Sequence, residues 1–149
     1  MSVTVQQIIT DVRAELVAPV PGFWSDAELM RNIYRAELDY VRRIKCLERY
    51  AFMTTTVGVN NYPLPADCLT VRAVYFNEPT DTTPEWFRVG ATNLEKISQE
   101  RPDYLDTGPN NQATPIKYWI WGRYIYLFPA PDTSTPNNLY IFYKCKLYI

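Results

Sequence analysis

Carboxylates and lysines would have to carry any catalysis in this sequence, because its 149 residues include no histidine. That absence removes Ser-His-Asp and Cys-His nucleophiles, histidine-ligated zinc and histidine acid–base catalysis. Asp103 and Asp106 share a loop, but Ca²⁺ takes about six to eight oxygen ligands, so two carboxylates make a poor site. None of the five glycines lies in a phosphate-binding loop pattern. We therefore predict no catalytic residue, no metal and no cofactor.

Aromatic side chains are the most prominent remaining feature, at 15% of the sequence with twelve tyrosines and four tryptophans. Tyr and Trp are enriched at protein interfaces because they bury an apolar ring and keep one polar atom in water. The same rings also fill the core of a tyrosine-rich sheet, and composition alone leaves both interpretations open.

Charge and cysteine content restrict the cellular setting. The net charge of −1 gives no overall attraction to nucleic acid or to an anionic membrane. No apolar run approaches the ~20 residues that span a bilayer, and the N-terminus lacks a signal-peptide pattern. Cys46, Cys68 and Cys145 are widely spaced, without a CxxC pair. We expect reduced core thiols and synthesis in a reducing cytoplasm.

Two helices open the chain. Thr4 with Gln7 forms a capping-box pattern before the apolar stripe of residues 4–17. Ser25 with Glu28 forms a second, with Trp24 and Leu29 spaced as a hydrophobic staple. The second helix is predicted from Asp26 to about Leu47. Its predicted buried stripe is Leu29, Ile33, Ala36, Tyr40, Ile44 and Leu47.

Six basic residues fall within nineteen positions, in the second helix and just after it, mostly off the predicted stripe. They are Arg31, Arg35, Arg42, Arg43, Lys45 and Arg49. A basic face suits an acidic partner or a phosphate backbone. The alternative is a solvated face with intrahelical pairs such as Arg35–Asp39.

The strongest strand signal lies between Pro115 and Asp132. Two aromatic, β-branched runs flank Gly122-Arg123, and glycine first in a two-residue loop favours a type II′ turn. Further strands are predicted at 51–57, 69–76, 85–89 and 139–149, with residues 62–67 extended. In the last strand two sets of residues alternate and so predict its two faces: Leu139, Ile141, Tyr143, Cys145 and Leu147 on one, and Tyr140, Phe142, Lys144, Lys146 and Tyr148 on the other. A short helix capped by Thr92 is predicted through about Gln99, and 103–114 is predicted as an exposed loop. If the last strand lies at a sheet edge, another subunit can pair with it.

This order predicts an α+β fold: a pair of N-terminal helices, then an antiparallel β-sandwich or partly open barrel with one short inserted helix. We predict a single domain of residues 1–149, with a helical part at 1–49 and a β part at 50–149.

Three stretches, in this order, resemble the head-to-tail adaptor (connector) proteins of tailed bacteriophages. They are residues 23–29 (Phe-Trp-Ser-Asp-Ala-Glu-Leu) before a long helix, 62–77 (Tyr-Pro-Leu-Pro-Ala-Asp-Cys-Leu and onwards), and 122–132 (Gly-Arg-Tyr-Ile-Tyr-Leu-Phe-Pro-Ala-Pro-Asp). The resemblance covers roughly Ser25 to Tyr143. Its motifs are turns and helix caps rather than catalytic residues.

The resemblance implies a structural protein in the neck of the virion, made in the host bacterial cytoplasm. Such adaptors form a ring, usually twelvefold, beneath the portal, and they join capsid to tail and help retain packaged DNA. The implied partners are the portal protein, neighbouring adaptor subunits, the tail or neck protein below, and genomic DNA passing non-specifically through the channel. No membrane partner is implied.

By this resemblance, the portal-interface candidates are Arg31, Arg35, Arg42 and Arg43. The candidates for contact with subunits or the tail are Tyr104, Leu105, Trp121, Arg123 and Tyr124. One alternative is a peripheral tail module that binds carbohydrate or a receptor through the aromatic hairpin, in a groove lined by Trp119, Trp121 or Trp86. A small carboxylate hydrolase would instead need two acids converging in a cleft.

Overall fold

The computed structural model describes residues 3–16, 24–44, 47–78 and 85–146. Contacts divide the chain into two compact units, residues 1–45 and 46–149. The predicted boundary between helical and β parts, at 49/50, lies close to this division. Whether the two units act as a single domain stays a prediction.

Three α-helices and seven strands are present among the described residues. The helices are α1 (Val5–Glu15), α2 (Asp26–Ile44) and α3 (Leu94–Glu100), with one 3₁₀ turn at Pro109–Asn111. The strands are β1 (Glu48–Met53), β2 (Asn61–Pro63), β3 (Cys68–Glu78), β4 (Glu85–Ala91), β5 (Lys117–Trp121), β6 (Tyr124–Phe128) and β7 (Leu139–Cys145).

Both predicted helix starts are confirmed. The Thr4 side chain accepts a hydrogen bond from the Gln7 N–H, and the Gln7 side chain accepts one from the Thr4 N–H at 2.8 Å. The Glu28 N–H donates to Ser25 Oγ at 3.3 Å, and the Ser25 N–H donates to Glu28 at 2.9 Å. The bond from the Ser25 N–H, and then the bond from the Ser25 hydroxyl, lower the pKa of Glu28 below its usual range.

Within the helical unit, α1 is tied to the start of α2 by Arg13, a side chain that the sequence patterns did not single out. Arg13 is 7% exposed, and its guanidinium donates to Asp26 Oδ1 from Nε at 3.1 Å and to the Trp24 carbonyl at 2.9 Å. Asp26 therefore pairs with Arg13 in addition to lying at the positive end of the α2 dipole.

The predicted buried stripe of α2 is wrong in its second half. Leu29 is buried and Ile33 half-buried as expected, but Val41 takes the remaining buried position. The side chains of Ala36, Tyr40 and Ile44 are exposed, and the helix ends at Ile44 rather than Leu47. Since α1 has 11 residues and α2 has 19, the shorter helix covers only part of the longer one.

The second unit is a curled, half-barrel sheet with strand order β1-β7-β3-β4-β5-β6-β2. The α+β prediction, with helices first and a partly open barrel after them, is confirmed. All strand pairs are antiparallel except β4 with β5, where Gly90 lies opposite Lys117 in a parallel pair. The helix α3 lies in the β4–β5 connection, which gives the chain enough length to return in the same direction.

The C-terminal strand lies inside the sheet, between β1 and β3. An edge position for this strand is therefore excluded within the described residues, and 147–149 lie outside them. The sheet edges are β1, with six residues, and β2, with three including Pro63.

The main core lies on one face of this sheet and includes alternate residues of β7: Leu139, Ile141, Tyr143 and Cys145. These are the residues whose alternation predicted one face of the last strand. Val74 and Phe76 of β3 and Ile125 and Leu127 of β6 complete its centre with no exposed surface.

The short helix α3 packs on β5 in a second cluster of Ile97, Trp119 and Phe128. Its cap is not Thr92, as predicted, but Asn93, whose side chain accepts from the Lys96 N–H at 2.7 Å. The Thr92 hydroxyl is instead buried, and the Thr92 N–H donates to the Tyr118 carbonyl at 2.8 Å. That backbone bond holds Thr92 against β5, and the next residue, Asn93, caps the helix.

The central hairpin is confirmed. β5 and β6 pair from Lys117–Phe128 to Trp121–Tyr124, which leaves Gly122-Arg123 as a two-residue loop. Gly122 has φ +61° while Arg123 is not in the left-handed region, as the first and second positions of a type II′ turn require.

Candidate interaction surfaces

An aromatic surface covers the sheet face opposite the main core, on strands β1, β7, β3 and β4. We call it the aromatic face, and its members are Tyr50, Phe52, Tyr75, Trp86, Tyr140 and Phe142. The strand register brings them together, because Phe52 lies opposite Tyr140 and Tyr50 lies opposite Phe142. On the other side of β7, Tyr140 lies opposite Tyr75.

Ring contacts hold this surface in a defined arrangement. Phe52 stacks on Tyr140 with ring centroids 4.4 Å apart and planes 9° from parallel. Trp86 lies 5.7 Å from the Tyr140 ring and 6.2 Å from the Phe52 ring. Each such pair contributes about 0.5–1.5 kcal/mol beyond simple area burial. Tyr140 therefore organises the face from its centre.

Despite these contacts, the aromatic face is open to solvent. Tyr50 is 61% exposed, Phe52 47%, Trp86 39% and Phe142 38%. All members except Tyr50 line a concave groove of about 330 Å³. Contiguous exposed apolar surface with this shape is typical of a protein contact or a ligand groove.

A free strand edge borders the aromatic face. The Cys145 N–H donates to the Leu47 carbonyl at 2.9 Å, which fixes the phase of the β1–β7 ladder. Hydrogen-bonded and non-hydrogen-bonded pairs alternate, so the peptide groups of Glu48, Tyr50 and Phe52 are directed away from β7. In the described part of the chain no strand pairs with that side of β1.

Sequence reasoning missed this surface as an assembly. The even-numbered residues of the last strand had been assigned to a second face, and Trp86 had been named only for a sugar site. The sequence patterns did not show the strand order. The aromatic face combines residues from four strands that lie as many as 92 positions apart in the chain (Tyr50 to Phe142).

The predicted portal-interface arginines are all exposed on α2. At 100° per residue, Arg31, Arg35 and Arg42 lie within about 40° of one another around the helix. We call these three the arginine stripe. They lie on the side of α2 opposite Leu29 and Ile33.

Arg43, the fourth candidate, does not belong to the stripe. It lies about 100° from Arg42 around the helix and its Nε is 2.9 Å from Asp39 Oδ2. The predicted Arg35–Asp39 pair is thus replaced by Arg43–Asp39. Because both partners are more than half exposed, this pair contributes little to stability.

The five candidates for subunit or tail contact separate into two places. Trp121 and Tyr124 are a cross-strand pair at the hairpin tip, 60% and 44% exposed. Arg123, in the turn, donates to the Pro65 and Ala66 carbonyls at 2.9 and 3.1 Å. Arg123 thus attaches the tip to the segment before β3, a structural contact that its sequence position did not indicate.

Tyr104 and Leu105 lie in the loop after α3. The Tyr104 ring meets the edge of Trp119 at 5.7 Å and packs with the second core cluster, whereas Leu105 is 59% exposed. Trp119 in turn stacks on Tyr126 at 5.2 Å, so this row of rings is partly interior.

Neither acid of this loop is arranged as a metal ligand. Asp103 pairs with Arg101 at 3.0 Å, which lowers its pKa. Asp106 accepts from the Gly108 N–H at 2.8 Å and from the Asn111 amide at 3.0 Å. Over the described ranges, no three Cys, Asp or Glu side chains converge as a metal site would require. The loop acids thus organise the loop itself.

Comparison with protein families gives one decisive match. The family model described as SU10 adaptor protein matches residues 3–146, nearly the whole chain. The chain belongs to this family of phage adaptor proteins. A comparison with curated proteins gives no match.

Membership makes the adaptor a component of the phage virion that associates with other head or tail proteins. The family is structural rather than enzymatic. None of the helices in the described residues is long and apolar enough to cross a bilayer.

Proposed function

We propose that the adaptor forms a ring, twelvefold by resemblance, beneath the portal vertex, where it joins capsid to tail and helps retain packaged DNA. In this proposal the arginine stripe meets the portal, and the aromatic face meets the neighbouring adaptor subunit. The hairpin tip and Leu105 are left to contact the tail or neck protein below.

The aromatic face is the observation that carries this proposal. A protein with no partner rarely exposes a contiguous group of large rings, because leaving them in water forfeits about 25 cal/mol for each Å² that could be buried. A ring supplies that burial in every copy, because each subunit presents the same face to its neighbour. The free β1 edge lies beside the face and adds hydrogen-bonding groups to the same contact.

The arginine stripe supports the portal contact. Guanidinium groups bind carboxylates with paired, charge-assisted hydrogen bonds. Among the described residues, neither Arg35 nor Arg42 forms an ion pair with the chain's own acids. These groups are consequently available to an acidic surface on a partner.

Electron microscopy of the adaptor mixed with the portal protein of the same genome tests the proposal. We expect portal rings with one additional layer in the mixture, and no such layer with portal alone. Bare portal rings beside separate adaptor monomers would contradict the proposal.

A charge-reversal pair identifies the docking surface. The double variant Arg35→Glu, Arg42→Glu should reduce the fraction of decorated portals while its far-UV circular dichroism stays unchanged. The matched control is Arg72→Glu with Lys146→Glu, which changes the net charge equally on exposed positions of the sheet unit. Equal decoration by both variants would show that the stripe is not the contact.

A second candidate function is a carbohydrate- or receptor-binding tail module. The groove of about 330 Å³ favours it, since Trp86 and Tyr140 present rings of the kind on which sugars stack. Trp119, however, is only 2% exposed and cannot line such a groove. Glycan-array binding that is lost in Trp86→Ala, together with undecorated portals, would favour this function over the adaptor ring.

A further inference from the structure

Two buried thiols face each other across the sheet at the start of β3 and the end of β7. Cys68 and Cys145 are directly opposite in the antiparallel register, and both are free thiols. Cys68 is 8% and Cys145 2% exposed, and both belong to the main core cluster. The two cysteine side chains therefore lie next to each other on adjacent strands, on the core face of the sheet.

The hydrogen bonds around the pair define its geometry. The Cys145 N–H donates to the carbonyl of Leu47, the residue just before β1, and the Cys68 N–H donates to the Pro65 carbonyl at 2.9 Å. The next pair outward is bonded across the strands, because the Lys146 N–H donates to the Asp67 carbonyl at 2.8 Å. Cys68 and Cys145 thus occupy a non-hydrogen-bonded position.

This position suits a covalent bond between the two side chains. Non-hydrogen-bonded antiparallel pairs have Cα atoms about 4.5 Å apart and side chains closer than the alternate pairs. Disulfides need a Cα separation of about 4.4–6.8 Å. A register shift directly after Cys68 adds an extra residue to β3, which gives the strand local freedom to adjust the Cβ directions.

A route for an oxidant reaches one of the two thiols. Cys68 lines a surface cavity of about 320 Å³ together with Leu64, Thr70 and Gly122. Arg123 also lines this cavity, and its positive charge suits an anionic reagent. Cys145 does not line this cavity.

We propose that Cys68 and Cys145 form a disulfide across β3 and β7 by exchange with a small-molecule disulfide, of which glutathione disulfide is the type. The Cys68 thiolate attacks one sulfur of the reagent, which gives a mixed disulfide and releases one glutathione thiol. The Cys145 thiolate then attacks the Cys68 sulfur, which closes the protein disulfide and releases the second glutathione thiol. Two protein thiols are oxidised and one reagent disulfide is reduced.

The environment of Cys68 sets the expected rate behaviour. Burial raises the pKa of the Cys68 thiol, the positive charge of Arg123 opposes this, and the negative charges of Asp67 and ionised Cys145 add to it. Since the thiolate is the attacking form, exchange should accelerate as pH rises through the alkaline range. A phage assembled in a reducing cytoplasm would thus carry the thiol form and oxidise after release.

The test uses the full chain with Cys46→Ser, because Cys46 lies outside the described residues and has its own thiol. The folded variant is incubated with glutathione disulfide and then analysed by intact mass, thiol titration in denaturant and non-reducing peptide mapping. We expect loss of both thiols, a mass lower by two hydrogens, and one cross-linked peptide joining residues 68 and 145.

Two further variants separate the steps. Cys46→Ser with Cys145→Ser should stop at a glutathione adduct on Cys68, and Cys46→Ser with Cys68→Ser should stay largely unmodified. A stable adduct on Cys68 in the Cys46→Ser chain would overturn the proposal, as would oxidation that occurs only after unfolding. Neither outcome depends on the ring or the portal.

Discussion

Asp67 is a buried carboxylate that two side chains from different parts of the sheet unit satisfy. Arg49 donates to one oxygen and the Tyr143 hydroxyl to the other, both at 3.0 Å. Asp67 is 7% and Tyr143 4% exposed. Burial and then the bond to Asp67 raise the pKa of Tyr143 to about 12. The network therefore links β1, the turn before β3, and β7.

Tyr143→Phe should lower the free energy of unfolding by about 1–3 kcal/mol at neutral pH, because it leaves a buried carboxylate oxygen without its donor. Urea denaturation monitored by tryptophan fluorescence measures this. Val71→Ala, at the residue opposite Tyr143 on β3, controls for general loss of packing. The stability lost in this variant should not vary with pH.

The pH dependence has a definite sign. The folded pKa of Tyr143, about 12, lies above the usual value of 10, so the folded state holds this proton more tightly. The contribution of the protonated Tyr143 hydroxyl to the free energy of unfolding is fully present below about pH 10 and is lost as pH rises toward 12. The stability difference between the natural chain and Tyr143→Phe should narrow in that window. A constant difference would refute the role of this hydroxyl.

At the scale of single elements, the β5–β6 hairpin depends on its first turn residue. Gly122 has φ +61°, and a Cβ there would meet no atom within 4 Å. Gly122→Ala should therefore cost about 1–2 kcal/mol through backbone strain alone. Gly122→Asn should cost less, because Asn tolerates this conformation. Thermal unfolding of the two variants measures which loses more stability. Equal losses of stability would contradict a purely conformational cause.

Elements with local signals were predictable. Thr4 and Ser25 bond to backbone groups three residues away, and Gly122 determines a turn that joins neighbouring strands, so their chemistry is complete within a short window. The cap of α3 was missed by one residue because Thr92 bonds to Tyr118 on a strand that lies 26 positions further along. Tertiary contact there overrides the local pattern.

Contacts between distant segments could not be predicted from the same patterns. The alternation in β7 divided its residues correctly into two sets, one for each face of the strand. Because both sets are rich in large side chains, this pattern did not show which face is exposed to solvent. That depends on β1 pairing with β7, which joins residues about 90 positions apart, from Glu48–Lys144 to Met53–Leu139. The arginine stripe, by contrast, required only helical spacing.

At the scale of the whole molecule, the adaptor exposes apolar surface in both of its units. Met30, Tyr34, Tyr40 and Ile44 on α2 are each 40–60% exposed. On the sheet, Tyr50 is 61% and Phe52 47% exposed. Isolated exposed apolar residues are normal in soluble proteins. Clusters of them in a family of virion adaptors are expected where subunits and partners bury them.

The aromatic face provides the final prediction, which rests on the ring proposal. Phe52→Ala with Trp86→Ala removes two rings around Tyr140 while leaving the core face of the sheet unchanged. We expect at least a tenfold loss of ring assembly on the portal, because each deleted interface anchor commonly costs about 1–2 kcal/mol or more. Sedimentation velocity of adaptor–portal mixtures measures the loss.

Trp121→Ala with Tyr124→Ala is the matched control, since it deletes two exposed rings from the hairpin tip of the same unit. This pair should leave the adaptor layer intact and should weaken only attachment of the next neck or tail protein. Because every subunit would lose the same contact with its neighbour, the Phe52–Trp86 defect should grow with the number of copies in the ring. Normal assembly by the first pair and failure by the second would move the subunit contact from the aromatic face to the hairpin tip.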